Sequence, residues 1–163
     1  RTATADPRSG TPIPRSALGT TMQTVRDDDG KRYVLVKRSG DSSRVRDPAT
    51  GEERYLPNDD LTFEGVSPLV AAASGVADPV RRAVTAVHDE RSLGLLVELV
   101  DRDAVSVVAL LDAYDLCESD LHGLLGEFRA AGLLTETTVH GERGYAATEA
   151  AREAVAALRG GSK

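Results

Sequence analysis

Apolar positions along this chain fall into three textures, and each predicts a different kind of structure. Residues 1–21, "RTATADPRSGTPIPRSALGTT", show neither the alternation of a strand nor the period of a helix. Their Pro, Ser, Thr, Arg and Gly bury too little surface to offset the entropy of ordering, which predicts a flexible arm. From Met22 to Phe63, short runs of β-branched and aromatic residues lie between turn signals. Strands around Gln23 to Arg26 and in "RYVLVKR" flank the Asp-Gly pair of "RDDDGKRY", while "SRVR" and "ERYL" flank "RDPATGEE", where Gly51 suits a positive φ. Together they predict a three- or four-stranded antiparallel β-ribbon over residues 22–63. A connecting segment at 64–77 follows, with one short helix that starts at Ser67-Pro68 and closes at Gly75.

From Asp78 the period becomes helical. Val80, Ala83, Val84 and Val87 fall at i, i+3, i+4 and i+7 behind Asp78-Pro79. Leu93, Leu96, Val97 and Val100 repeat that spacing behind Ser92, the expected N-cap, and Leu95 and Leu99 widen the face, which places this helix at the centre of a core. Ser106 is positioned to cap "VVALLDAYDL". The stretch "ESDLHGLLGEFRAAGLL" carries Leu121, Leu124, Leu125 and Phe128 on one stripe before Gly132 ends it. Alternation returns in "LLTETTV", a turn "HGERG" and "YAAT", and Thr148 caps a last helix bearing Ala151, Ala154, Val155 and Leu158. Helices followed by a hairpin and a helix predict an α+β unit over residues 78–159.

Composition narrows the class. A length of 163 residues suits one core-bearing domain with an appendage. With no Trp and only two Phe, Phe63 and Phe128, the core must be aliphatic. No apolar run nears the roughly 20 residues that span a bilayer, and the start lacks the order of a signal peptide, so a cytoplasmic protein with no membrane partner is expected. Met22 is the single methionine and position 1 is Arg, so either Met22 is the natural start or the sequence is a fragment. A lone cysteine, Cys117, excludes an internal disulfide and a multi-thiolate zinc site. The net charge of −6 and the scarcity of lysine (Lys31, Lys37, Lys163) fit a protein from a saline cytoplasm, where hydrated carboxylates keep surfaces soluble.

Five elements agree in order and spacing with one known architecture. Ser106-Val107 opens the second helix, Leu116 lies in the turn, "ESDLHGLLGEFRAAGLL" stands in place of a reading helix ending in Ala-Gly-Leu, and "GYAATEAAREAV" stands in place of a wing strand and its threonine-capped helix. In these respects the chain resembles the winged helix-turn-helix transcription regulators of the arsenic-repressor and PadR-like kinds, over about residues 78–159. The segment "RDPATGEERYLPNDDL" is similar to the opening of haloarchaeal helix-turn-helix proteins. The resemblance implies an α+β fold, a winged helix-turn-helix domain preceded by a small antiparallel β-ribbon. It also implies a DNA-binding transcription regulator with neither cofactor nor metal. In that family the reading helix enters the major groove and the wing touches the flanking backbone. Carried over by position, Ser119, His122, Gly123 and Gly126 would face the bases, with His140 and Arg143 at the wing tip.

Charge departs from the family pattern, because residues 78–159 hold eight basic and fifteen acidic side chains. Counterion release needs cationic contacts, and it weakens steeply with salt. Two readings therefore stay open. Duplex DNA is bound in near-molar salt through shape, hydrogen bonds and cations trapped between carboxylates and phosphates, or the winged helix is a protein-protein interaction module that does not touch DNA. One locally basic stretch lies in the ribbon, where "KRSGDSSRVR" sets Lys37, Arg38, Arg44 and Arg46 against Asp41. Those four either grip a phosphate backbone or form a solvated strand edge that discourages aggregation. Apolar helices from 79 to 101 and from 149 to 159 exceed what one small domain needs, which predicts a homodimer.

Other chemistry is sparse. Cys117, at the start of the reading helix, is either a redox-sensing thiol favoured by the helix dipole or a small half-buried cap residue, and Glu118 and Asp120 oppose thiolate formation. His122 and His140 match no zinc spacing with Cys117. His88, before Asp89 and Glu90, reads as a helix-end residue. The acid pairs Asp59-Asp60 and Asp101/Asp103 fall in predicted turns, where solvation rather than a cleft is expected. With no phosphate loop, nucleophile elbow or Ser-His-Asp arrangement in the sequence, a non-enzyme is expected.

Overall fold

A computed structural model of the chain describes residues 22–160. The arm expected at 1–21 lies outside the described residues. The chain forms two compact units that divide between Ala71 and Ala72.

The first unit is an antiparallel sheet of five strands, one more than the ribbon was expected to hold. Strands β1 (Gln23–Arg26), β2 (Arg32–Arg38), β3 (Ser42–Arg46) and β4 (Glu53–Pro57) form a meander. A 3-10 turn at Asn58–Asp60 then lets β5 (Thr62–Glu64) return to the free edge of β1, where Phe63 lies opposite Val25. The spatial order is β4-β3-β2-β1-β5. Asn58 fixes the returning chain: its amide donates to the carbonyls of Ser39 and Gly40 at 2.9 and 2.8 Å, and Ser43 Oγ donates to its oxygen at 2.6 Å. Val25, Tyr33, Leu35 and Val45 are buried on one face of the sheet, with Leu56 and Leu61 half-buried beside them. Gly51 adopts φ +76° in the β3–β4 turn. Buried Asp47 anchors that turn, accepting from Lys31 Nζ at 2.5 Å and from the Ala49 amide at 2.9 Å.

Strand β2 carries a β-bulge between Leu35 and Lys37. The extra residue shifts the alternation by one, so Lys37 lies opposite Arg44 and Arg38 opposite Ser43. Without the bulge the two basic residues would exchange faces.

Helix α1 (Pro68–Ala73) spans the division between the units. The second unit runs α2 (Asp78–Ala86), α3 (Glu90–Asp101), β6 (Val105–Ser106), α4 (Val107–Ala113), α5 (Glu118–Ala130), β7 (Leu134–Val139), β8 (Glu142–Ala147) and α6 (Glu149–Leu158). Its antiparallel sheet has the order β6-β8-β7. The fold as a whole is therefore α+β, with six α-helices among the described residues.

Local capping chemistry sets most boundaries in this unit. Ser106 Oγ accepts from the Ala109 amide at 3.1 Å, and Thr148 Oγ1 accepts from the Ala151 amide at 3.4 Å. At α3 the N-cap is Asp89 rather than Ser92. Asp89 Oδ1 accepts from the Ser92 amide at 2.7 Å while Ser92 Oγ accepts from the Asp89 amide at 3.0 Å, a reciprocal box in which the serine occupies the third helical position. The apolar stretch 79–101 is two helices, with Val87, His88 and Asp89 between them.

Leu96, Leu99, Leu110, Leu121, Leu125, Phe128 and Leu133 are fully buried at the centre of this unit, with Ala83, Ala151 and Ala154 allowing α2 and α6 to pack closely. Each such large side chain contributes about 1.5–3 kcal/mol of transfer free energy. Arg159 closes the end of α6 with two hydrogen bonds to Asp101 at 2.8 and 2.7 Å, and Asp101 is the last residue of α3 rather than a turn residue.

Candidate functional site

Helix α5 buries Leu121, Leu125 and Phe128, and the opposite side of the helix is built from small residues. Ser119, Gly123, Gly126 and Ala130 recur at about one turn each, and all four are exposed. A Cβ added to Gly123 or Gly126 would meet no atom within 4 Å, so nothing inside the unit requires glycine there. Glycine in a helix interior costs about 0.5–1 kcal/mol relative to alanine. Both residues weaken the helix without relieving any internal crowding.

The flanks of this bare stripe are charged. Glu118 and Asp120 occupy the first turn, where the helix dipole favours acids, and His122 is half-buried with Nε2 3.6 Å from Glu118. On the other flank Glu127 accepts from or is paired with His88 Nε2 at 2.9 Å, which ties α5 to the α2–α3 connection. His88 lies between the C-cap of α2, Val87, and the N-cap of α3, Asp89, and has a long-range partner as well. Cys117 is the N-cap residue, but its thiol makes no cap hydrogen bond. It is exposed rather than half-buried, 3.2 Å from Ser119 Oγ.

Beside the helix stands the β7–β8 hairpin. Val139 pairs with Glu142, so the turn is the two residues His140 and Gly141, with φ +51° and +85°. Two positive φ values match the twist of a tight hairpin, and His is among the few non-glycine types that tolerate one. The five-residue turn "HGERG" is therefore not formed. His140 is exposed at the tip as expected, whereas Arg143 lies one residue inside β8, opposite Thr138. From there Arg143 Nη2 donates to Glu136 at 3.0 Å, and Arg129 Nη1, from the last turn of α5, donates to the same oxygen at 3.0 Å. Hydrogen bonding from Arg143, with the charge of both guanidiniums, holds the Glu136 carboxyl below the usual range, and Glu136 raises Arg143 in turn. The trio carries one net positive charge and joins the end of the helix to the hairpin.

Depressions border this surface. A cleft of about 340 Å³ between α5 and the α2–α3 connection is lined by Ser119 and Gly123 together with His88, Asp89, Arg91 and Glu127. A larger groove of about 690 Å³ is mainly apolar, with Leu95, Val97, Tyr114 and Leu116 on its walls and Arg91 and Glu98 at its rim. Among the described residues no three His, Cys, Asp or Glu side chains converge to hold a metal ion. None of their helices is long and apolar enough to cross a membrane.

In the first unit the basic stretch does not act as one cluster. Lys37, Arg44 and Arg46 share one face of the sheet, but the bulge turns Arg38 to the other, where its guanidinium lies 5.0 Å from the centre of the Phe63 ring. Arg44 approaches Glu53 at 3.3 Å.

Sequence reasoning missed the Arg129–Glu136–Arg143 trio and the His88–Glu127 pair. The trio was recoverable in principle. Taking His140-Gly141 as a two-residue turn puts Arg143 diagonal to Glu136 across the hairpin. His-Gly is a weaker turn signal than Asn-Gly, and the glycine two residues beyond Glu142 masked it.

The fold and surface thus define an α+β protein of two units, a five-stranded sheet and a helical unit that presents a bare helix face beside a tight hairpin. Residues 22–159 match a family of unknown function (DUF7346), and the chain belongs to that family. No curated protein and no solved structure matches it.

Proposed function

We propose that the second unit is a winged helix-turn-helix and that the chain is a DNA-binding transcription regulator, with α5 as the reading helix and β7–β8 as the wing. The observation that carries this reading is the bare Ser119–Gly123–Gly126 face. A helix that keeps two interior glycines toward solvent without an internal reason is suited to a partner that approaches its backbone closely, and the floor of a DNA major groove is such a partner. The helix-strand order, with a short β6 before α4 and β8 between β6 and β7, is that of winged helices and supports the same reading. Ser119 and His122 then offer hydrogen bonds to base edges, while His140 and the Arg129–Arg143 side of the trio meet phosphates. In this reading the protein acts in a saline cytoplasm as a homodimer and catalyses no reaction. Pairing across a two-fold axis would cover Val84 on α2 and Leu158 on α6, which are 59% and 47% exposed.

One observation favours a second reading. The flanks of α5 are acidic and an apolar groove of about 690 Å³ lies beside the Ser119 cleft, so the same face suits a protein partner. Chromatin immunoprecipitation with sequencing in the native organism separates the two. Discrete genomic peaks are expected for the regulator; a featureless profile rejects it in favour of the protein partner. Mobility-shift assays in high salt on Arg143→Ala and His122→Ala then test the assigned contacts, and affinity unchanged in both rejects them.

A further inference from the structure

We infer that the exposed end of one sheet face, the face on which Thr24 and Val34 are buried further along, binds single-stranded nucleic acid, with Tyr55 as a stacking platform and Lys37, Arg44 and Arg46 as phosphate contacts. Three strands place these groups in one row: Lys37 on β2 lies opposite Arg44 on β3, and Arg44 lies opposite Tyr55 on β4. Adjacent strands are about 4.8 Å apart, so the row sets a ring and two cations at successive steps across about 10 Å. Arg46, two residues along β3, adds a half-buried cation on the same face, opposite buried Val34. Tyr55 is 62% exposed, an unusual position for an aromatic side chain. Lys37 and Arg46 make no ion pair among the described residues, which leaves their charges uncompensated in a chain whose net charge is −6. Glu53 is the acid on this part of the face, 3.3 Å from Arg44.

The combination discriminates between ligands. A phosphate backbone alone uses the cations but leaves an exposed ring idle, since a duplex keeps its bases inside. Edge protection also needs only charge, and a tyrosine does not supply it. An exposed ring flanked by cations fits a strand whose bases are free to stack, a mode that tolerates any base sequence. This inference uses no property of α5 and stands or falls apart from the regulator reading.

Fluorescence anisotropy on the full chain tests it, with a labelled oligothymidine of about 15 nucleotides and a duplex of the same length as probes. Oligothymidine binding is expected at low salt. Tyr55→Ala should weaken it about tenfold or more, while Tyr55→Phe, which keeps the ring, stays near the parent. Lys37→Ala with Arg44→Ala should weaken it and flatten its salt dependence. Because Tyr55 is largely exposed, its loss leaves the fold intact, as circular dichroism will verify. No oligothymidine binding by the parent, an unchanged affinity in Tyr55→Ala, or a Tyr55-dependent preference for the duplex or for a polyglutamate peptide overturns the inference.

Discussion

Gly144 is the position where the second unit is most sensitive to one added carbon. It sits buried in β8, paired with Ser106 of β6 on one side and Thr137 of β7 on the other. A Cβ there would stand 2.6 Å from the Val105 carbonyl oxygen, 3.1 Å from its carbon and 2.9 Å from Val139 Cγ2. Two of those atoms are backbone, so relief requires β6 to part from β8. Overpacking of this kind costs about 1–3 kcal/mol. Weakening the Ser106–Gly144 pairing adds about 0.5–1.5 kcal/mol per lost hydrogen bond. Gly144→Ala should therefore destabilise the unit by about 1.5–4.5 kcal/mol, which lowers the melting midpoint by at least about 6 °C in a domain of this size. Urea unfolding followed by far-ultraviolet circular dichroism gives the value, provided the slope with denaturant is unchanged. The damage should also spread to α4, because Ser106 is its N-cap, and amide exchange at Ala109 should quicken. A loss under about 0.5 kcal/mol would refute the placement of Gly144 between two strands.

Gly123→Ala and Gly126→Ala should have the opposite effect on stability, each raising it by about 0.5–1 kcal/mol, because helix propensity improves and no neighbour is met. The same pair should weaken DNA binding in mobility-shift assays, and a variant both more stable and fully active would remove the reason given for the bare face. Phe128→Ala, at the centre of the helical core, should cost about 3–5 kcal/mol by urea unfolding, and a loss below about 1 kcal/mol would mean that α5 does not seat there. Asp47 governs the acid limb of the first unit. Hydrogen bonds from Lys31 and the Ala49 amide depress its carboxyl below the ordinary 3.8, so its stabilisation is complete above that value and is lost as pH falls toward the depressed one. Asp47→Asn should thus be less stable at neutral pH and show a flatter loss below pH 3.8 than the parent, and superimposable acid limbs would contradict the assignment.

Elements whose ends are set by adjacent residues were legible in the sequence. Ser106, Thr148 and Gly132 act on their own turns, and Gly132 takes the positive φ, +74°, that a helix terminus favours. Residues that depend on distant partners were not. Strand β5 is three residues long and is defined only by β1, well upstream in the chain. Asp89 and Ser92 both suit an N-cap, and only the reciprocal bonding assigns their roles. For the candidate site, the exposed positions Ser119, Gly123 and Gly126 follow from the helical period alone. The partition of the basic stretch does not, because a single bulge after Leu35 exchanges the faces of Lys37 and Arg38, and an irregular pairing leaves no mark in alternation.

A photoreactive amino acid placed at Ser119 in the native cells puts the question to the bare face of α5 directly. If that face reads DNA, irradiation should join the protein to DNA fragments that map to discrete genomic sites, with the yield falling when Arg143 is replaced by alanine. Adducts confined to other proteins, with no DNA recovered, would contradict it.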